Sequence, residues 1–246
     1  MKKHGFTLAE VIVTLGVVGV IAALTLPIVS NTAAKSQVGP KLAKAVSVWE
    51  QANIAMLEDE DVTAITEEFE TTTGTGSSAT TTLNFTEYKT ALSEHIKMID
   101  TSISNSSSTS SISSVDENDD WVSLFGNENQ SFETTNGIRY AYTVDNISSD
   151  NTNMETPPHK QRIGYLAIDI DSDSDSKNTV GKDIFCFALY NDGSLRAIGS
   201  ENWNEGGTSK LYTASEGGCP NSTSSNYNAY CTGSIVENGY KVMYKY

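Results

Sequence analysis

The feature that most constrains this chain is an uncharged stretch near its N-terminus, residues 11–34. Residues 11–29 are nearly all apolar. A helix of this length would extend roughly 28 Å at 1.5 Å per residue, about the thickness of the hydrocarbon core of a membrane. The sequence therefore predicts one membrane-spanning helix.

Composition alone leaves two ordinary interpretations of this segment open. A cleaved secretory signal would use Lys2 and Lys3 as its basic end, but the apolar run is longer than the usual stretch of about 7–15 residues. A plain single-pass anchor does not explain Glu10. A carboxylate in a membrane-embedded helix is costly unless it is paired, and it usually marks function.

The residues around Glu10 favour a third interpretation. The segment Lys2-Lys3-His4-Gly5-Phe6-Thr7-Leu8-Ala9-Glu10, followed by an apolar helix, resembles the prepilin signature of type IV pilins and type II secretion pseudopilins. The resemblance implies that a prepilin peptidase cuts between Gly5 and Phe6 and methylates the new amine of Phe6. It also implies that Glu10 acts in assembly, where its carboxylate neutralises the amine of a neighbouring subunit. The alternative is a carboxylate favoured by the helix N-terminus.

Pro27 is a second residue that the resemblance connects with assembly. A proline inside a helix removes one backbone hydrogen bond and tends to kink the helix. Many type IV pilins carry a proline near this place. Local melting of the helix on assembly and an ordinary kink are both open.

The resemblance also implies the organisation and location of the chain. Residues 1–5 are the expected leader, residues 6–34 the membrane-spanning assembly helix, and residues 35–246 an extracytoplasmic pilin-like domain. The precursor is expected to be a single-pass protein of the inner membrane, and the mature chain to join a pilus or pseudopilus. Its expected partners are the prepilin peptidase and other pilin or pseudopilin subunits, in a homo- or hetero-polymer.

Two functions follow from this organisation. The first is a structural subunit of a type IV pilus or of a type II secretion or competence pseudopilus. The alternative is a membrane-anchored minor pilin that acts as a binding or adhesion module. Size and composition do not decide between them.

The remainder of the chain predicts an α+β fold. The N-terminal helix is expected to run from about Thr7 to Leu57, because apolar residues recur at spacings of four and three along its second half: Val38, Leu42, Ala45, Trp49, Ala52 and Met56. A short helix is predicted from about Thr86, and antiparallel strands at residues 138–144, 163–170, 183–190 and 194–198. The resemblance implies a long helix packed on this sheet, with long loops.

Two Ser/Thr-rich stretches and the cysteines complete this outline. Residues 70–82 and 101–114 lack the apolar content to fold alone and are predicted to be surface loops. Cys219 and Cys231 are spaced suitably for a disulfide in an oxidising compartment, although free thiols are the alternative. Cys186 lies in a strand pattern and is predicted to be a buried core residue.

Charge and motifs argue against two other classes of function. The net charge is −15, and a nucleic-acid partner would need a basic face. No motif of a metalloprotease, nucleophilic hydrolase or phosphate-binding loop occurs. The sequence therefore predicts neither a nucleic-acid-binding protein nor an enzyme.

Aspartates alternate with other residues between the second and third predicted strands. Crowded carboxylates repel one another, and a bound hard cation relieves that repulsion. The arrangement also resembles the aspartate-bearing loops with which some pseudopilins hold calcium near this point of the sheet. The predicted calcium ligands are Asp171, Asp173, Asp175, Asn178 and Asp183. A solvated acidic turn is the alternative.

Overall fold

A computed structural model of the chain describes residues 7–73, 80–99, 118–126, 130–144, 162–171, 178–200, 204–205, 208–209, 219 and 229–244. The chain divides into two compact units, Met1–Gln37 and Val38–Tyr246. The first contains the apolar segment, and the second contains the sheet.

The first helix, α1, runs from Leu8 to Asp59, close to its predicted bounds. Its residues from Val38 onward belong to the second unit. The six apolar residues predicted to share one face of the helix, from Val38 to Met56, are all buried there, and we call them the buried stripe. The stripe could be read from the sequence because positions three and four residues apart share one face of a helix. Pro27 and Pro40 both lie within the bounds of α1, so neither proline ends the helix.

The described parts of the first Ser/Thr-rich stretch, residues 70–73 and 80–82, lie in two paired strands, so the prediction of a loop was wrong there. The short helix α2 (Ile65–Phe69) leads into β1 (Glu70–Thr73), which pairs antiparallel with β2 (Thr80–Leu83). Threonine is β-branched and suits a strand. Buried Phe69 and Leu83 at the hairpin ends anchor it to the core. The second stretch, residues 101–114, lies outside the described residues.

Two more helices precede the main sheet. The predicted short helix is α3 (Phe85–His95), and Asn84 caps it by accepting the Glu87 N–H at 3.4 Å. That bond satisfies a donor with no partner inside the helix. The helix α4 (Asn118–Ser123) and the 3-10 turn Leu124–Gly126 were not predicted from the sequence.

The second unit is organised around a five-stranded antiparallel sheet whose strands neighbour each other in chain order. They are β3 (Ser131–Glu133), β4 (Arg139–Val144), β5 (Arg162–Asp169), β6 (Ile184–Tyr190) and β7 (Leu195–Ala197). The turn between β6 and β7 carries Asn191-Asp192-Gly193, the residues between the last two predicted strands. Gly193 has a φ of 78°, which favours glycine.

The second half of α1 packs on one face of this sheet. The Trp49 ring stacks on Phe132 at 6.2 Å between centroids and lies 5.3 Å from Tyr140. The Tyr140 hydroxyl donates to the Ala45 carbonyl at 3.0 Å. The other face carries a second buried cluster that includes Trp121 and Cys186. Because both faces are covered, every residue of β6 is buried. The fold is the predicted α+β arrangement.

The C-terminal part contains a small strand pair and a last helix. β8 (Asn204–Glu205) pairs with β9 (Thr208–Ser209), and α5 is Cys231–Glu237. The end of α5 is a Schellman motif: Gly239 has a φ of 65° and donates to the Val236 carbonyl, and the Tyr240 N–H donates to Ile235 at 2.8 Å.

Candidate functional site

The apolar segment of α1 is exposed along its length. Leu8–Leu26 is the one helical segment in the described ranges that is long and apolar enough to cross a membrane, and none of it is buried. The exposed fraction of its large apolar side chains ranges from 42% at Val11 to 78% at Leu8. Full burial of one such side chain is worth about 1.5–3 kcal/mol. This surface therefore requires lipid or other apolar helices around it.

Glu10 forms a capping box with Thr7 at the start of α1. Its carboxylate accepts the Thr7 backbone N–H at 2.8 Å and the Thr7 hydroxyl at 2.9 Å, and Thr7 Oγ1 accepts the Glu10 N–H at 3.3 Å. Glu10 therefore has a local role at the helix N-terminus, as the alternative interpretation expected. Thr7 was missed as its partner, although a threonine three residues before a glutamate is the signature of this cap.

The predicted processing site lies outside the described residues, which begin at Thr7. Cleavage between Gly5 and Phe6, methylation of Phe6, and pairing of Glu10 with a neighbouring amine therefore stay predictions. So does an assembly role for Pro27.

The two threonines of the apolar segment satisfy their own hydroxyls. Thr14 Oγ1 donates to the Glu10 carbonyl and Thr25 Oγ1 to the Ile21 carbonyl, both at 2.9 Å and both within α1. A hydroxyl bonded to the backbone of its own helix needs no water. These threonines are therefore compatible with a helix surrounded by hydrocarbon or by other helices.

The C-terminal part contains the predicted disulfide between Cys219 and Cys231. It joins the segment before α5 to the first residue of that helix. Cys186 is a free thiol, fully buried in β6, and burial raises the pKa of its thiol well above the ordinary value. A buried neutral thiol is a poor nucleophile, so Cys186 fits its predicted role as a core residue.

The described part of the aspartate-rich segment lies where β5 ends and β6 begins. Asp169, the last residue of β5, is fully buried; one of its carboxylate oxygens accepts the Asp171 N–H and the other accepts the Asn178 amide. Asp183, just before β6, is 8% exposed. Its Oδ2 atom lies 3.9 Å from the Lys182 ammonium and accepts no hydrogen bond.

Burial raises the pKa of the Asp183 carboxyl above its ordinary value; the Lys182 ammonium opposes this shift, and nearby Asp171 adds to it. The side-chain oxygen of Asn178 is also buried without a hydrogen bond. Asp173 and Asp175 lie outside the described residues. Within the described ranges, no three His, Cys, Asp or Glu side chains are grouped closely enough to hold a metal. The predicted calcium site therefore stays a prediction.

Family models match the N-terminal segment and the remainder of the chain separately. Residues 1–26 match the prokaryotic N-terminal methylation motif. The chain is therefore a type IV pilin-like precursor, and the motif indicates a structural subunit rather than an enzyme. Residues 29–246 match a family of unknown function, DUF6613, and the chain belongs to that family. No curated protein and no solved structure matches the chain.

Proposed function

We propose that this chain is a structural subunit of a type IV pilus or of a type II secretion or competence pseudopilus. The observation that carries the proposal is the methylation motif at residues 1–26, which runs into an apolar helix that no described part of the chain covers. A precursor needs this helix to stay in the membrane. A filament subunit needs the same surface to pack against its neighbours.

The proposed sequence of events begins with the precursor in the inner membrane. Lys2 and Lys3 keep the leader on the cytoplasmic side, because basic residues flank membrane helices on that side. The prepilin peptidase removes residues 1–5 and methylates Phe6. The segment 6–34 then serves as the assembly helix, and residues 35–246 form the extracytoplasmic domain.

In this proposal Glu10 has two successive partners. In the single chain its carboxylate accepts hydrogen bonds from Thr7. During assembly it neutralises the amine of Phe6 on a neighbouring subunit. A charge in an apolar environment is costly unless an opposite charge lies beside it. The pair would therefore fix the position of each new subunit.

Mass spectrometry of the protein extracted from membranes tests the processing step. The expected N-terminus is a methylated Phe6. A mature chain that starts near Lys35 would instead establish a secretory signal. Electron microscopy of cells with and without the gene then tests assembly: abundant surface filaments that depend on the chain support the structural role, and a few copies at filament tips would favour the minor-pilin alternative.

Two substitutions separate the roles of Glu10. Glu10→Gln removes the charge but keeps a side chain that can complete the capping box, whereas Glu10→Ala removes both. If the charge drives assembly, both variants are cleaved and inserted normally and both lose filaments. Normal filament number with Glu10→Gln and loss with Glu10→Ala would show that only the cap matters.

We also propose that the aspartate-rich segment binds calcium. The donor set fits a hard cation, because it consists of carboxylate and amide oxygens. Among the predicted ligands, Asn178 Oδ1 and Asp183 Oδ2 are buried without hydrogen bonds, and a cation would satisfy both. Asp171, Asp173 and Asp175 would supply the remaining oxygens, and the ion would contribute positive charge to hold β5 and β6 together at this end.

Calorimetric titration of the detergent-solubilised chain tests this site. Calcium is expected to release or absorb heat and to raise the melting temperature, whereas equal concentrations of magnesium should do neither. The double variant Asp173→Ala/Asp175→Ala should lose the response. Identical responses of the wild type and the double variant would leave a solvated acidic turn as the explanation.

A further inference from the structure

The last described residues of the chain lie against α1 where the second unit begins. The Tyr240 carbonyl packs directly on Gly39, since a Cβ atom added to Gly39 would lie 1.7 Å from that oxygen. Tyr244 extends the contact to the turn before β6, because its hydroxyl donates to the Gly181 carbonyl. Three parts of the chain that are distant in sequence therefore meet at this end of the second unit.

Each of these three parts carries an exposed lysine. α1 contributes Lys41 and Lys44, the turn before β6 contributes Lys182, and the C-terminal segment contributes Lys241. Met243, from the same C-terminal segment, is 71% exposed. We call these five residues the basic patch. It combines long cationic side chains with one large apolar side chain.

Most of the positive charge in the basic patch is not neutralised nearby. Among the residues that the structure describes, no carboxylate pairs with Lys41, Lys44 or Lys241. Lys182 lies 3.9 Å from the Asp183 carboxylate, but its side chain is 50% exposed. This is a local excess of positive charge on a chain whose net charge is −15.

Exposed carboxylates lie mainly elsewhere. Only Asp171 and Glu237 are exposed acidic residues of the described segments that adjoin the basic patch. At the opposite end of α1, by contrast, Glu58, Glu60 and Asp61 are all exposed. The helix therefore begins the second unit with positive charge and ends with negative charge. A negatively charged surface would attract the first end and repel the second.

We infer that the basic patch docks the second unit on anionic lipid headgroups of the membrane that holds α1. The inference rests on the proposed function in one respect, because it requires Leu8–Leu26 to span the bilayer. Each lysine close to an anionic bilayer favours the docked state by about fivefold. Met243 can enter the interface between headgroups and acyl chains, as apolar residues of basic membrane-binding surfaces do.

The length of α1 allows this contact if the helix tilts. Lys41 lies fifteen residues past Leu26, or roughly 22 Å along a helix. A tilt of about 40°, which membrane helices reach, lowers its height above the hydrocarbon to roughly 17 Å. Headgroups occupy about 5–7 Å of that height, and a lysine side chain leans toward the helix N-terminus. The ammonium group then lies within about one Debye length, roughly 8 Å, of the headgroups.

Fluorescence quenching in vesicles that contain the full chain tests the docking. A fluorophore on Met243→Cys reports on the basic patch, and a fluorophore on Gln51→Cys, an exposed position further along α1, is the matched control. The native cysteines are not labelled, because Cys219 and Cys231 form a disulfide and Cys186 is buried. The vesicles consist of phosphatidylcholine alone or of a three-to-one mixture with phosphatidylglycerol. Both contain a trace of lipid with a quencher on its headgroup.

The label at Met243 should be quenched more strongly in the mixture than in phosphatidylcholine. The label at Gln51 should be quenched equally in both. Salt at about 1 M should abolish the difference at Met243, because it shortens the Debye length to about 3 Å. Equal quenching at Met243 in the two lipids would overturn the inference.

Two triple variants show whether the lysine charges cause the docking. Lys41→Gln/Lys44→Gln/Lys241→Gln should lower the ratio of docked to undocked chains by up to about a hundredfold, the product of three fivefold effects. Lys41→Arg/Lys44→Arg/Lys241→Arg keeps the charges and should keep the quenching. The three lysines are exposed, so the urea unfolding midpoint of both variants should equal that of the wild type. Quenching that survives in the glutamine variant would contradict the inference.

A control inside the bilayer separates this inference from the function on which it rests. A label at Ile21→Cys should be quenched by acyl-chain quenchers in both kinds of vesicle. Its absence would overturn the membrane-spanning role together with the docking. Quenching at Ile21 without a lipid-dependent difference at Met243 would overturn the docking alone. Quenching at Met243 that follows protein density rather than lipid charge would assign the basic patch to a second copy, and would also overturn the docking.

Discussion

Replacing Gly39 by alanine should destabilise the second unit, although alanine is the better helix former. A Cβ atom at this position would lie 1.7 Å from the Tyr240 carbonyl oxygen and 2.8 Å from the Tyr240 carbonyl carbon. Both are backbone atoms. Tyr240 has a φ of 60°, and its N–H is bonded to the Ile235 carbonyl at 2.8 Å. The overlap can therefore be relieved only by moving the C-terminal segment away from α1.

The expected size of the effect follows from two opposing terms. Alanine gains about 1 kcal/mol over glycine in a helix interior. Overpacking that displaces backbone costs about 1–3 kcal/mol, and displacement of the segment after Tyr240 also threatens Tyr244. Tyr244 is buried in the core, and its hydroxyl donates to the Gly181 carbonyl. We expect a net loss of about 1–3 kcal/mol in the free energy of unfolding, because lost burial of Tyr244 offsets the gain in helix propensity and the steric cost remains.

Urea unfolding of the detergent-solubilised chain, followed by tryptophan fluorescence, measures this loss. Trp49 is fully buried between α1 and the sheet, so its emission reports on this packing. Gly16→Ala is the matched control: it makes the same substitution in the same helix, with no atom within 4 Å of the new Cβ. An unfolding midpoint for Gly39→Ala equal to or above that of the wild type would refute the reasoning.

Three further changes have defined expected results. Tyr88→Phe should cost about 1–3 kcal/mol in urea unfolding, because it leaves the fully buried Asn53 Oδ1 without the hydroxyl that donates to it at 2.6 Å. Replacing both Cys219 and Cys231 by serine should cost about 3 kcal/mol, since the disulfide closes a loop across a sequence separation of 12. Burial raises the pKa of the Glu50 carboxyl above 4.5. The contribution of Glu50 to stability is therefore complete below pH 4.5 and is lost as the pH rises through its folded-state pKa. Glu50→Gln should remove this part of the pH dependence.

Each of these expectations has a result that contradicts it. Tyr140→Phe is the control for Tyr88→Phe, because the Ala45 carbonyl that accepts the Tyr140 hydroxyl also has its helical N–H donor. Equal losses of unfolding free energy in Tyr88→Phe and Tyr140→Phe would show that Tyr88→Phe leaves no buried oxygen without a donor. An unchanged unfolding midpoint in the serine variant would contradict the loop-closure argument. Unfolding profiles of Glu50→Gln and wild type that stay parallel from pH 4 to 7 would show that other groups set the pH dependence.

The sequence was sufficient to predict the elements in which one periodicity of apolar residues dominates. The buried stripe of α1 could be predicted because six apolar residues repeat at helical spacing, and β6 with its turn because an apolar run is followed by Asn191-Asp192-Gly193. The hairpin of β1 and β2 was missed because its strands are mostly threonine. Its position depends on the buried residues at its ends, Phe69 and Leu83, which pack in the core. Contacts with residues distant in the sequence leave no local pattern of apolar residues.

Polar residues of the core were also beyond prediction from the sequence. Lys89 lies on α3 and would ordinarily be exposed, yet it is 3% exposed and its ammonium donates to the Ser131 carbonyl at 3.2 Å. That bond depends on the packing of α3 beside β3, residues 42 positions apart. The cap on Glu10 is the opposite case, because its signal is local: a threonine precedes the glutamate by three residues. For the candidate site, composition therefore indicated the membrane segment, and the spacing of Thr7 and Glu10 was a local signal for the cap that the sequence analysis did not use.

The two halves of α1 obtain their stability from different sources, and this difference bears on assembly. The second half is held by its own sheet, through Trp49 and the residues around it. The apolar first half has no such cover among the described residues and must find it in lipid or in other helices. Exchange of lipid for neighbouring helices changes apolar burial little, because both surroundings are apolar. The free energy that selects one arrangement of subunits must then come from the polar groups that differ between the two states. Under the proposed function, Glu10 at the start of the helix is such a group, because its carboxylate exchanges hydrogen bonds from Thr7 for the amine of a neighbouring subunit.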